Sequence, residues 1–211
     1  MLNLEGFTIR GKPPLIIQTI PGGILTEHTA SDNGYKLERG LVNIFTGHGK
    51  GKTSAAIGTA VRAAGHGLRV YMVFMMKANE AFEHGEFKVL KALPNVTIDT
   101  FGQRGWAKRG NVQPEHREQA QKALDSAKAA MNSGDYDVIV LDEVNGAIAS
   151  SLVDIEEVVN LIENKPPQVE LVLTGRYADP RLVQMADLVS EVLMIKHPIN
   201  EGIRARKGID Y

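Results

Sequence analysis

The sequence has no cysteine at any of its 211 positions. That removes disulfides, thiolate metal sites, iron–sulfur clusters and cysteine nucleophiles together. Aromatic residues are sparse at 6%, with one tryptophan, Trp106. Neither sign of charge is in excess, since 24 Lys+Arg stand against 25 Asp+Glu for a net charge of −1. This argues against a nucleic-acid binder driven by bulk electrostatics, while leaving room for a local basic site. No apolar run approaches the ~18–20 residues that span a bilayer. The start, Met1-Leu2-Asn3-Leu4-Glu5, lacks the basic opening and apolar core of a secretory signal. A cytoplasmic protein without nucleic-acid or membrane partners is expected. What is present is ordinary globular composition, 43% apolar and 23% charged, which excludes disorder for the bulk of the chain. The length suggests one compact domain with an appendage.

Residues 1–37 read as that appendage. Leu15 to Ile20 and Ile24 to Thr29 are short β-prone runs joined by Pro21-Gly22-Gly23, the pattern of a hairpin. Nothing there has catalytic spacing. From residue 38 onward, strand-like and helix-like segments alternate. Strands are expected at 41–46, 68–76, 96–101, 138–142, 169–174 and 190–195. Helices are expected at 53–64, 114–131, 154–163 and 180–186. The 114–131 segment is the clearest, with Pro114 at its start, an apolar stripe from Ala120 to Met131, and Gly134 just past its end. Strands separated by helix-length segments imply parallel pairing with right-handed crossovers. The expectation is an α/β fold of the P-loop NTPase (RecA-like) kind, a mostly parallel sheet covered by helices on both faces, with an N-terminal hairpin.

Gly47-His48-Gly49-Lys50-Gly51-Lys52-Thr53 lies between the first such strand and the first helix. Glycines there let successive backbone N–H groups turn toward phosphates, at the positive end of the helix dipole. Lys52 would neutralise phosphate oxygens, and the Thr53 hydroxyl is placed to ligate Mg²⁺ (or Mn²⁺). Position 46, where the general motif begins with glycine, is Thr46. Composition alone would supply such a loop in on the order of one chain in a thousand. Its complement is an acid at the end of a neighbouring strand. Val138-Ile139-Val140-Leu141 runs into Asp142-Glu143, putting two carboxylates at the edge where open α/β sheets bind ligands. Asp142 or Glu143 would hold the metal directly or through water.

A nucleotide site does not name a reaction. Four stretches, however, resemble the P-loop ATP:corrinoid (cob(I)alamin) adenosyltransferases: Phe45 to Ala56, Val140-Leu141-Asp142-Glu143, Leu173-Thr174-Gly175-Arg176, and Lys196-His197 through Gly208-Ile209-Asp210-Tyr211. The late-starting glycine loop is that family's habit. The resemblance implies transfer of the 5′-deoxyadenosyl group of ATP to the cobalt(I) of a corrinoid, with triphosphate leaving in one piece. Cobalt(I) is itself the nucleophile, so no Ser, Cys or His triad is required. The catalytic set it implies is Lys52, Thr53 and Glu143. ATP would be held by Gly47, His48, Gly49, Lys50, Gly51, Lys52, Thr53, Ser54 and Arg176.

On the corrinoid side, the family's Phe-x-Trp pair aligns with Arg104-Gly105-Trp106. The tryptophan is kept, arginine stands in the phenylalanine position, and Phe101 lies nearby. Lys77 and Glu86 match a further segment, with Ala78 in place of its glycine. The resemblance also implies a homodimer served by a reduced flavin or flavodoxin-like electron donor. Two other readings stay open from the residues alone. One is a RecA-like or kinase-like ATPase or phosphotransferase, and the other is a non-catalytic, ATP-gated corrinoid-binding module.

Overall fold

In the computed structural model the described residues are 16–19, 25–28, 35–76, 84–102 and 112–211. The chain divides into two compact units, 1–35 and 36–211. In the first, β1 (Ile16–Thr19) pairs antiparallel with β2 (Leu25–His28). The second is built on six parallel strands: β3 (Val42–Thr46), β4 (Val70–Phe74), β5 (Val96–Thr100), β6 (Val138–Asp142), β7 (Glu170–Thr174) and β8 (Leu188–Glu191). Their spatial order is β5-β4-β6-β7-β3-β8.

The inner strands are rich in apolar residues, as burial on both faces demands. Every residue of β4 and β6 is buried. Alternate residues then face opposite layers. Val70, Met72, Phe74, Val138, Val140 and Val172 pack with α1 (Lys52–Gly65) and α2 (Gly85–Lys91). Tyr71, Val73, Ile139, Leu141, Leu171 and Leu173 pack against the other face. There lie α3 (Pro114–Ser133), α4 (Val144–Ala149), α5 (Ile155–Glu163) and α6 (Pro180–Met185).

Small residues set how closely helices approach the sheet. The buried stripe of α1 is Ala56, Ala60 and Ala63, and that of α3 is mostly alanine. Local signals close the elements. Asp154 and Asp179 cap α5 and α6 by accepting from Glu156 N–H (3.0 Å) and Arg181 N–H (2.9 Å). Gly134, at φ 76°, ends α3 in the left-handed conformation.

The expected helices and strands are present with ends shifted by a few residues, and two differences matter. Two short helices, α2 and α4, were not expected. The last strand was expected at 190–195 and instead spans Leu188–Glu191. Val192 and Leu193 leave the strand to brace the loop after β3: Gly49 N–H donates to Val192 O (2.7 Å). Among the described residues no helix is long and apolar enough to cross a membrane.

Candidate nucleotide site

All six strands run the same way, so their carboxyl ends form one edge, where ligands bind in such sheets. Thr46, at the end of β3, leads into the glycine loop. Gly47 has φ 98°, and a Cβ there would lie 2.5 Å from Val192 O; one at Gly49 would lie 2.6 Å from Leu193 O. These two positions require glycine because the strand-end backbone crosses so close. Gly51, at φ 124°, caps α1 without a side-chain bond, leaving the first helical N–H groups facing the loop's interior.

Lys52 opens α1 and is buried, its Nζ donating to Gly49 O at 2.7 Å. Burial lowers its pKa below the usual lysine range. Glu143 opposes that shift, Arg176 adds to it, and Asp142 opposes it. The loop lysine, both carboxylates and the arginine thus lie within one electrostatic neighbourhood. Thr53, next along α1, is part-buried.

Asp142 ends β6, and Thr174 ends the adjacent β7; neither is exposed. The Thr174 hydroxyl donates to Asp142 Oδ1 (2.7 Å) and accepts from Glu143 N–H (2.9 Å). It therefore fixes both acidic residues. Glu143 sits at φ 68°, in a left-handed conformation uncommon for a non-glycine residue, as the residue before α4. Gly175 follows at φ 126°, where a Cβ would lie 2.8 Å from Gly146 N. That glycine lets the ends of β7 and α4 come together, and Arg176 and Tyr177 extend from the same turn. Tyr177, at φ 61°, packs its ring edge-on against His48 with centroids 5.0 Å apart.

The structure thus brings together Lys52, Glu143, Asp142 and Arg176, which the sequence places far apart. Phe101 follows β5, its N–H donating to Phe74 O at 2.9 Å, and it packs on the core. With β5 four strands from β3, Phe101 stands ~19 Å along the edge from the glycine loop at ordinary strand spacing. Glu86 lies in the first turn of α2, 3.5 Å from His84 Nδ1. Lys77, Arg104 and Trp106 lie outside the described residues. Thr174, Tyr177 and Asp210 were not assigned roles from the sequence. Thr174 and Asp210 lay inside stretches quoted for the resemblance, so the signal was there and its use was not.

Residues 38–211 match the family model "ATP:corrinoid adenosyltransferase BtuR/CobO/CobP". The chain belongs to this family. Relatives include the corrinoid adenosyltransferase of Escherichia coli K12, 33% identical over 174 residues, covering 82% of this chain and 87% of that protein. The Pseudomonas aeruginosa corrinoid adenosyltransferase is 32% identical over 175 residues, covering 82% and 85%. The corrinoid adenosyltransferase CobA of Salmonella typhimurium LT2 is 32% identical over 174 residues, covering 82% and 87%. The matched region of the family begins three residues before Leu41, so it takes in every strand of the parallel sheet.

The residues present suit Mg²⁺. Among the described residues no three His, Asp or Glu side chains cluster as a metal cage. Mg²⁺ characteristically takes one or two protein carboxylates and fills its shell with phosphate oxygens and water, and the Thr53 hydroxyl together with the Asp142 and Glu143 carboxylates is that kind of donor set.

Proposed function

We propose that this chain transfers the 5′-deoxyadenosyl group of ATP to the cobalt(I) of a corrinoid, releasing inorganic triphosphate. ATP and corrinoid are its substrates. The observation that carries this reading is the family match across 38–211, laid over a phosphate loop whose lysine shares its surroundings with Glu143, Asp142 and Arg176.

The reaction is a displacement at carbon. Cobalt(I) attacks C5′, a cobalt–carbon bond forms, and the C5′–O bond breaks with its electron pair leaving on triphosphate. The protein's tasks are alignment and neutralisation of the leaving group. Backbone N–H groups of the loop, Lys52 and Lys50 supply positive charge to triphosphate, and Arg176 adds more from the end of β7. Thr53, Asp142 and Glu143 would hold Mg²⁺, which would supply further positive charge to the phosphate oxygens. Lys52 suits the task because its ammonium is held in a buried place, where a fixed charge acts through less water. Thr174 keeps Asp142 and Glu143 in place while phosphates enter and leave. The corrinoid would lie toward the Phe101 end of the edge, with Glu86, Lys77, Arg104 and Trp106 as further candidates. A homodimer in the cytoplasm, served by a reduced flavin or flavodoxin-like donor, completes the proposal, and residues 1–37 form a separate extension.

The test is anaerobic: protein, chemically reduced cob(I)alamin, ATP and Mg²⁺, followed by the cobalt spectrum and the phosphate product. A light-sensitive alkylcobalamin with stoichiometric triphosphate is expected, and Lys52→Ala should abolish both. ADP with an unchanged corrinoid spectrum would replace this reading with an ATPase. ATP-dependent corrinoid binding without a cobalt–carbon bond would replace it with a carrier.

A further inference from the structure

The glycine loop has a second cation whose surroundings differ from those of Lys52. Lys50 lies between Gly49 and Gly51, and its side chain is 47% exposed. A four-carbon stem on a glycine-flanked backbone has wide rotamer freedom, roughly 2 kcal/mol of it. Yet this side chain is tied to residues 159 and 160 positions away: Nζ donates to Ile209 O at 2.8 Å and to the Asp210 carboxylate.

Asp210 is itself held. It accepts from Arg206 N–H (2.7 Å) and Arg206 Nε (3.0 Å), and its own N–H donates to Arg206 O (2.8 Å). Gly208, at φ 79°, lets this turn close. The Lys50 and Arg206 cations hold the Asp210 carboxyl well below the usual carboxylate range.

We propose that Asp210 is a positioning residue for the nucleotide site, holding the Lys50 ammonium over the glycine loop so that it meets the triphosphate already oriented. Two features argue for aid over competition. The ammonium has three N–H donors, and Asp210 and Ile209 take two, leaving one for a phosphate oxygen. The cluster of Lys50, Arg206 and Asp210 carries a net charge of +1, so the carboxylate orients the lysine without cancelling the attraction for an anion. The turn 206–210 is then part of the nucleotide site. This rests on the reading of the loop as an ATP site.

The experiment is isothermal titration of MgATP into the full chain for wild type, Asp210→Asn, Asp210→Glu, Lys50→Met and the Lys50→Met/Asp210→Asn double variant. Asp210→Asn should weaken MgATP by roughly 3–10-fold, the range for losing the order of one long side chain. Asp210→Glu, which keeps the charge, should restore most of it. In the Lys50→Met background the Asp210 change should have no further effect. Unchanged or tighter binding by Asp210→Asn overturns the proposal, tighter binding meaning that the carboxylate competes with phosphate. An equal loss in the Lys50→Met background also overturns it, since Asp210 would then act on the fold and not through Lys50. Wild type that binds MgATP but forms no alkylcobalamin would defeat the adenosyltransferase reading and leave this one standing.

Discussion

The glycine loop sits on β3, and the two strands flanking β3 are unlike each other. On one side β7 is buried along Leu171, Val172, Leu173 and Thr174, and it delivers the Thr174 hydroxyl to the Asp142 carboxylate and the Glu143 N–H. On the other side every residue of β8 is exposed, yet the backbone just past it crosses the loop closely enough to require glycine at 47 and 49. One flank is fixed by packing and by the two Thr174 hydrogen bonds, and the other by backbone contact and a few exposed ion pairs. The β7 flank therefore suits groups whose geometry must not vary, and the β8 flank suits a loop that must admit and release triphosphate.

The comparison is broken most sharply by equal truncations on the two flanks. Leu173→Ala, in a site with no exposure, should cost about 2–5 kcal/mol in denaturant unfolding. Leu188→Ala, at 44% exposure, should stay within about 0.5 kcal/mol. Equal losses would mean that β8 is covered by something that buries it as fully as β7.

Glycine substitutions separate backbone strain from crowding. Gly175 and Gly51 have nearly the same φ, 126° and 124°. An added Cβ at Gly175 meets Gly146 N, whereas at Gly51 it meets nothing within 4 Å. Both alanine variants bear the left-handed strain, about 1–3 kcal/mol. Only Gly175→Ala should also force β7 and α4 apart, and thermal unfolding should rank it clearly below Gly51→Ala.

The polar half of the β7 flank comes next. Thr174→Val removes the hydroxyl that serves Asp142 and Glu143 together, at a cost of about 2 kcal/mol, and it should lower adenosyl transfer by more than it lowers stability. Thr174→Ser keeps the hydroxyl and should recover the activity. Activity kept by Thr174→Val and lost by Thr174→Ser would mean that the methyl packing, not the hydrogen bonds, positions the acidic residues.

Much of this was legible in the sequence, and what was not has physical reasons. The alternating strands and long helices are written in apolar periodicity, and the glycine loop in its residue types. Helix α2 has seven residues and α4 six, too few turns to show a stripe, and α4 follows directly from a left-handed Glu143 with no capping side chain. The apolar run 190–195 looks like a strand because Val192, Leu193, Met194 and Ile195 are β-prone. Val192 and Leu193 are committed to the glycine loop instead, and Leu193 and Ile195 remain 66% and 88% exposed. The Lys50–Asp210 pair carries no local signal, because only the return of the chain beside β3 joins positions 160 apart.

Lys52 sharpens the comparison through pH. Burial lowers its pKa in the folded state, so the unfolded chain binds that proton more readily. The resulting cost is fully present below the folded pKa and is relieved as pH rises toward the unfolded value near 10.5. Lys52→Met should therefore unfold at a Tm higher by roughly 2–4 °C at neutral pH, with the advantage shrinking in alkali. A constant advantage across pH would mean that the Gly49 hydrogen bond and packing outweigh desolvation at this site.

The smallest effect expected belongs to Tyr177, the contact between the β7 turn and the glycine loop. Its left-handed backbone, at φ 61°, costs a bulky residue about 1–2 kcal/mol, whereas asparagine tolerates that conformation. Against this stands the edge-on contact with His48, worth about 0.5–1 kcal/mol. Tyr177→Asn should thus raise stability by about 0.5 kcal/mol in denaturant unfolding while releasing His48, so that MgATP binding weakens slightly as the fold strengthens. If stability falls instead, the ring contact outweighs the strain, and the two flanks are tied across the loop by an aromatic pair as well as by backbone.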